Sequence, residues 1–234
     1  MKEPVTCKFE VSDSPMANVF RFLEELRENN NREWFNAHKD WYLSVKVEHE
    51  NFINQLISAL AVVEPEVDGL TAKDCIFRIY RDVRFSLDKS PYKTHIGAYM
   101  VRGGKKSPRA GYYVHIEPGG CLFAGGIWCP EPSLLKALRK DVYDNIEEFT
   151  GIIRKPEFQK QYVLDGEKLK KVPAPFPSDF PEGELLKYKS YTVLNVVPDS
   201  FFEGRNVIER CVERLLLIQP FNRFLNYTVE ETWR

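Results

Sequence analysis

The sequence predicts an α+β fold: a single domain over residues 1–234, with an antiparallel sheet of about five strands, a long N-terminal helix packed on it and C-terminal helices covering the rest. Three observations predict it. Apolar and aromatic residues recur every three or four positions from Trp34 to Leu60. Four short apolar and aromatic runs lie between Cys75 and Trp128. The connections between those runs are short, and a parallel return would need a crossover of a dozen or more residues.

The elements follow in chain order. Asp13-Ser14-Pro15 offers a capping side chain and a proline for a helix start, and Val19, Phe20, Leu23 and Leu26 form the stripe of that helix. Asn29-Asn30-Asn31 ends it and can cap the next. The second helix is expected to run unbroken from Arg32 to Val63, roughly 45 Å at ~1.5 Å per residue. Glu64-Pro65 stops it, because proline disfavours helix at the residue before it. His38 and His49 fall on its apolar side and read as partly buried core histidines.

Strands are expected at Cys75–Tyr80, Thr94–Val101, Gly111–Glu117 and Cys121–Trp128, with Pro118-Gly119-Gly120 as a tight hairpin turn. Pro130-Glu131-Pro132-Ser133 opens a helix lined by Leu134, Leu135, Leu138, Val142 and Ile146. Further helical turns are expected over Ile146–Ile153 and Pro156–Tyr162. The span Leu164–Pro181 reads as irregular, with room for a short strand at Leu169–Val172, and Tyr191–Val197 reads as the fifth strand. The C-terminal helical part starts at Pro198-Asp199-Ser200, has Val207, Ile208, Cys211, Leu215 and Ile218 as its stripe, and is expected to break at Pro220 before one last amphipathic turn with Phe221, Phe224 and Leu225.

Composition narrows the function classes. Hydrophobic residues make up 43% and charged residues 29%, as in ordinary globular proteins. The net charge of −1 asks for neither nucleic acid nor membrane. Charge is concentrated, however: Arg78 to Arg109 holds nine Lys/Arg against two Asp, which points to a local anion site. Five cysteines without a C-x-x-C pair argue against a disulfide framework or a cysteine-rich zinc site, and suit a reducing, cytoplasmic setting. The N-terminus lacks the apolar core of a signal peptide, and no run approaches a membrane span.

The stretch CIFRIYRDVRFSLDKSPYKTH, Cys75 to His95, is the densest in chemistry. Guanidinium groups fork onto phosphate or carboxylate, so Arg78, Arg81 and Arg84 can clamp an anion. Tyr80 and Tyr92 flank them, and Lys89 and Lys93 add positive potential. Ser90-Pro91 resembles a helix start whose free N–H groups would face the same anion. The structural alternative is that Arg81 and Arg84 pair with Asp82, Asp88 or other carboxylates and fasten the loop. His95, His115 and Asp82 are the candidates for proton transfer.

Two other readings stand beside the anion site. His115 and Glu117 are two apart on a predicted strand and share a face. If His95 pairs near Glu117, these three can hold a metal as two histidines and one carboxylate. Alternatively, the basic connection Arg102–Arg109 and nearby tyrosines can bind nucleic acid. Gly125-Gly126 inside a strand marks a bulge or a close approach, and no phosphate-loop motif is present.

The runs NNNREWFNAHKDWY, RIYRDVRFSLDKSPYKTHIGAYM, GYYVHIEPGG and GGIWCPEPSLLKALR resemble a widespread family of conserved hypothetical proteins, domain-of-unknown-function family 2461. The resemblance spans about Phe20 to Phe224 and implies one cytoplasmic domain. The positions matching its pattern include Arg78, Tyr80, Arg81, Asp82, Arg84, Phe85, Asp88, Lys89, Pro91, Tyr92, Lys93 and His95, and it carries over no catalytic role. The leading expectation is a cytoplasmic protein binding a small anionic ligand, with nucleic acid less favoured as partner. Enzyme, binder or a structural or interaction protein, and any cofactor, are left open.

Overall fold

The structure, a computed structural model, describes residues 16–232. The expected helix start at Asp13-Ser14-Pro15, and Cys7, lie outside them. Ten α-helices and five strands follow in the chain among the described residues. The N-terminal half gives α1 (Ala17–Glu28), α2 (Arg32–Ala37), α3 (Lys39–Ala61), α4 (Ala72–Cys75), β1 (Ile96–Met100), β2 (Gly111–Ile116) and β3 (Leu122–Ile127). Then come α5 (Pro132–Asp144), α6 (Ile146–Ile153), α7 (Pro156–Gln159), β4 (Val163–Asp165), α8 (Gly183–Leu186), β5 (Tyr191–Val196), α9 (Val207–Leu216) and α10 (Gln219–Thr232). The fold is α+β with one open, wholly antiparallel sheet in the order β1-β2-β3-β5-β4.

The sheet has a core face and an open face. Ala98, Met100, Tyr112, Val114, Ile116, Phe123, Tyr191 and Val193 are buried, and the side chains alternating with them are only half-buried or exposed at Tyr99, Tyr113, His115, Leu122, Ala124, Leu194 and Val196. Helices α9 and α10 lie against β3, and α3 spans α1 and α9. Phe52 of α3 reaches the sheet through Phe202, whose ring stacks on Phe123 at 5.9 Å. The buried apolar side chains form one continuous cluster. No described helix is long and apolar enough to cross a membrane.

Several boundaries differ from expectation, each for a local reason. The long helix is two, α2 and α3, joined at His38. Its Nδ1 donates to the Trp34 carbonyl at 2.8 Å, and its ring stacks on Trp34. Cys75 ends a helical turn instead of opening a strand, because Asp74 Oδ2 accepts from both the Thr71 backbone and its hydroxyl. Ile76 to Tyr80 pairs only through isolated bridges, Ile76 with Ala98 and Tyr80 with Tyr92. The expected strand at Tyr191–Val197 is β5, and the place of the missing Cys75–Tyr80 strand in the count of five is taken by β4, a three-residue edge strand paired with β5. No helix starts at Ser90-Pro91: Asp88 accepts from the Ser90 amide and hydroxyl, and the Pro91 carbonyl accepts from Arg81 N.

The break expected at Pro220 falls just before it, between α9 and α10, and Pro220 itself occupies the first turn of α10, where no N–H is needed; α10 is a helix of fourteen residues, not one last turn. Asn222 and Asn226 on that helix donate to the carbonyls of Gly111 and Ala110, and Asn226 accepts from the Ala110 amide. Gly125 and Gly126 mark a close approach, as expected. A Cβ on Gly125 would lie 2.4 Å from Ile218, and one on Gly126, where φ is +101°, 2.1 Å from the Tyr191 carbonyl.

Candidate functional site

The hairpin β1–β2 sets the site by register. Ile96 pairs with Ile116 and Gly97 with His115, and one further step sets His95 opposite Glu117. Cross-strand partners share a face, so His95, His115 and Glu117 project from the open side of the sheet. The outer ribbon helps aim His95. Between its two bridges one strand spans Ile76 to Tyr80 and the other Tyr92 to Ala98, two residues more. That surplus bows the chain out at Thr94 and His95.

The three side chains meet. One ligand atom from each of His95, His115 and Glu117 lies within 4.8 Å of the others. The two imidazole rings stand 4.3 Å apart, tilted by 31°. A hydrogen-bonded chain runs through the group: Thr94 Oγ1 donates to Glu117 Oε1 at 2.6 Å, Glu117 Oε2 is 3.1 Å from His115 Nε2, and His115 Nδ1 is 2.8 Å from the Tyr113 hydroxyl. With Glu117 ionised, Nε2 carries the proton and Nδ1 accepts from Tyr113. Gly97 makes room for this chain, because the Tyr113 ring lies across it. A Cβ there would be 2.5 Å from the phenol oxygen.

The electrostatics suit ligation. Burial, then the neighbouring His115, pushes the His95 pKa down to about 4, so its ring is neutral at neutral pH. Burial acts to raise the Glu117 pKa, but hydrogen bonds from Thr94 and His115 outweigh it and hold the carboxyl below its ordinary value. Tyr113 is pushed up to about 12 by burial and then by Glu117, so it stays a phenol. The trio therefore offers two imidazoles and a carboxylate.

The arginine-rich loop largely satisfies itself. Arg81 forms an ion pair with Asp88 and approaches Ser86 Oγ at 3.5 Å. Arg84 takes Asp82 with two bonds, Nε to Oδ1 at 2.9 Å and Nη2 to Oδ2 at 2.6 Å. Hydrogen bonds from Ser90, then Arg81, hold Asp88 well below the ordinary carboxylate range, and Arg84 lowers Asp82 in the same way. Lys89 donates to the Val83 carbonyl. Tyr92 is buried, stacked on Phe35 at 3.9 Å and clamped by Asn30, while Tyr80 is half-exposed against it.

Arg78 and Lys93 differ from the rest of the loop. Neither side chain makes a hydrogen bond or ion pair among the described residues. Lys93 Nζ stands 5.5 Å above the Phe77 ring, and Phe77 meets Tyr113 edge-on at 6.3 Å. Burial and then the Arg78 charge lower the Lys93 pKa. In the second basic stretch, Arg109 is tied to Glu66 and Glu230, and Lys105 to the Lys73 carbonyl.

The sequence reading anticipated the trio and missed Tyr113, Thr94 and Phe77 as its surroundings. Tyr113 was legible as the residue two before His115, on the same face. Its lean across Gly97 was the missing piece. No curated protein and no solved structure matches the chain. A family model described as "Conserved hypothetical protein (DUF2461)" matches residues 18–224, and the chain belongs to that family.

Proposed function

We propose that the protein binds a divalent transition-metal ion through His95, His115 and Glu117 and is a metal-dependent enzyme acting on a small molecule. The observation that carries this reading is the convergence of three ligand atoms within 4.8 Å on one sheet face. Two ligands on adjacent positions, each ~2.1 Å from one ion, are about 3.0–3.5 Å apart. The His115–Glu117 separation of 3.1 Å already fits, and the His95 ring, which makes no hydrogen bond among the described residues, has its ligand atom within 4.8 Å of both. Two histidines and one carboxylate leave positions open, which favours iron(II) or zinc in a working site over a closed structural one.

A bound ion of this kind polarises an oxygen or activates water. The chain's own residues hold and orient it. Once His115 Nε2 is a ligand, its Nδ1 carries the proton and donates to the Tyr113 hydroxyl, while Thr94 fixes the Glu117 carboxylate. A metal-free reading is favoured by the same chain of bonds, in which Glu117 orients His115 as a base toward Tyr113. Nucleic acid has less support, since Arg109 is already paired. The cytoplasm is our assignment for it, on the free thiols of Cys75, Cys121, Cys129 and Cys211.

Thermal unfolding with zinc, manganese and anaerobic iron(II) tests the metal reading. An ion at ~100 times its dissociation constant stabilises the fold by roughly 2.7 kcal/mol. A shift in wild type that is lost in folded His95→Ala supports the centre. An equal shift in both proteins contradicts it, and no shift with any ion favours the metal-free relay.

A further inference from the structure

The cations of the arginine-rich loop fall into two groups. Arg81, Arg84 and Lys89 spend their donors on Asp88, Asp82 and the Val83 carbonyl. Arg78 and Lys93 have no such partner among the described residues. Asp82 feels the Arg78 charge, but both its oxygens are already bonded by Arg84. A half-buried ammonium beside a second cation is an unfavourable arrangement unless an anion joins them.

Position ties the pair to the trio. In the outer ribbon Lys93 N donates to the Ile79 carbonyl at 2.8 Å, which sets Arg78 one residue from the position opposite Lys93. Lys93 is two residues before His95. Its Nζ caps Phe77, whose ring meets Tyr113. Lys93, through Phe77, thus borders the open face that carries the two imidazoles and the carboxylate, and Arg78 lies one position along the ribbon from Ile79, the partner of Lys93.

We propose that Arg78 and Lys93 hold the anionic group, a phosphate or a carboxylate, of the molecule whose reacting atom meets the metal at His95, His115 and Glu117. The assignment rests on the metal-centre reading and narrows its substrate class to small anions. Arg78 presents a fork to paired oxygens, and Lys93 supplies a point charge over an apolar wall. Arg81 and Arg84 position the loop.

Calorimetric titration of the zinc-loaded protein with inorganic phosphate, and separately with acetate, tests the subsite. Zinc content is measured on the same samples. Wild type should bind one or both anions, and the choice between them names the group. Arg78→Gln and Lys93→Gln should each weaken binding by about tenfold or more, as expected for a lost charge-assisted bond, and the double variant should abolish it with zinc content unchanged. Lys93→Arg, which keeps the charge, should retain binding and guards against a folding defect. Undiminished binding in the folded double variant overturns the proposal, as does the absence of binding of either anion to wild type. If zinc is never retained but anion binding still depends on Arg78 and Lys93, the subsite stands and the metal reading falls.

Discussion

Replacing Gly97 by alanine probes the geometry beneath the site. The new Cβ would lie 2.5 Å from the Tyr113 hydroxyl oxygen and 2.9 Å from ring atoms Cε2 and Cζ. Carbon and oxygen do not approach so closely, so the ring must swing away. It then gives up its 2.8 Å bond to His115. The lost bond costs about 1 kcal/mol and the displaced ring about 1–3 kcal/mol. Against this, alanine stiffens the unfolded chain and returns about 0.4–1 kcal/mol. Gly97 is not among the positive-φ glycines, so the backbone accepts the change. The net expectation is about 1–3 kcal/mol of destabilisation by urea unfolding. In a Tyr113→Ala background the obstacle is gone, and Gly97→Ala should be neutral or stabilising. A double-mutant cycle reads the difference as a coupling of at least about 1 kcal/mol. Equal effects in the two backgrounds would refute the claim that the Tyr113 ring lies across Gly97.

Other regions make independent predictions. His49 is buried with Nε2 unbonded, and burial pushes its pKa down to about 4. The unfolded chain therefore takes up a proton near pH 6.5 that the native state refuses. Stability should fall as pH drops from about 6.5 towards 4, by roughly 3 kcal/mol in all, and His49→Leu should flatten that slope in urea unfolding at pH 7 and 5. Asn226→Ala leaves both backbone groups of Ala110 without their partner in the interior, and should cost about 2–4 kcal/mol in the same assay. Arg84→Ala removes an exposed pair, and its melting temperature should match wild type within error; a large drop would mean that the loop depends on it.

Much of the site was legible because strand periodicity is rigid. His115 and Glu117 are two positions apart, and a tight turn at Pro118-Gly119-Gly120 ends their strand, so their shared face follows from the sequence. The pairing of His95 with Glu117 was conditional on a register that the connection from Val101 to Ala110 does not specify. The arginine loop was less legible. Three arginines and two aspartates within eleven residues allow several pairings, and only the folded loop selects Arg81 with Asp88 and Arg84 with Asp82. That selection leaves Arg78 and Lys93 unpaired. β4 escaped because three residues carry too little periodicity to separate from an irregular run. Pro220 misled because a proline at the first turn of a new helix and one that ends an old helix look alike in sequence.

Elemental analysis of protein purified without an affinity tag, with His95→Ala, His115→Ala and Glu117→Gln alongside, tests the metal centre most directly. One equivalent of iron or zinc in wild type, and its loss in each folded variant, is the predicted result. Metal retained by all three variants, or wild type that holds none even after incubation with the ions, would contradict the account.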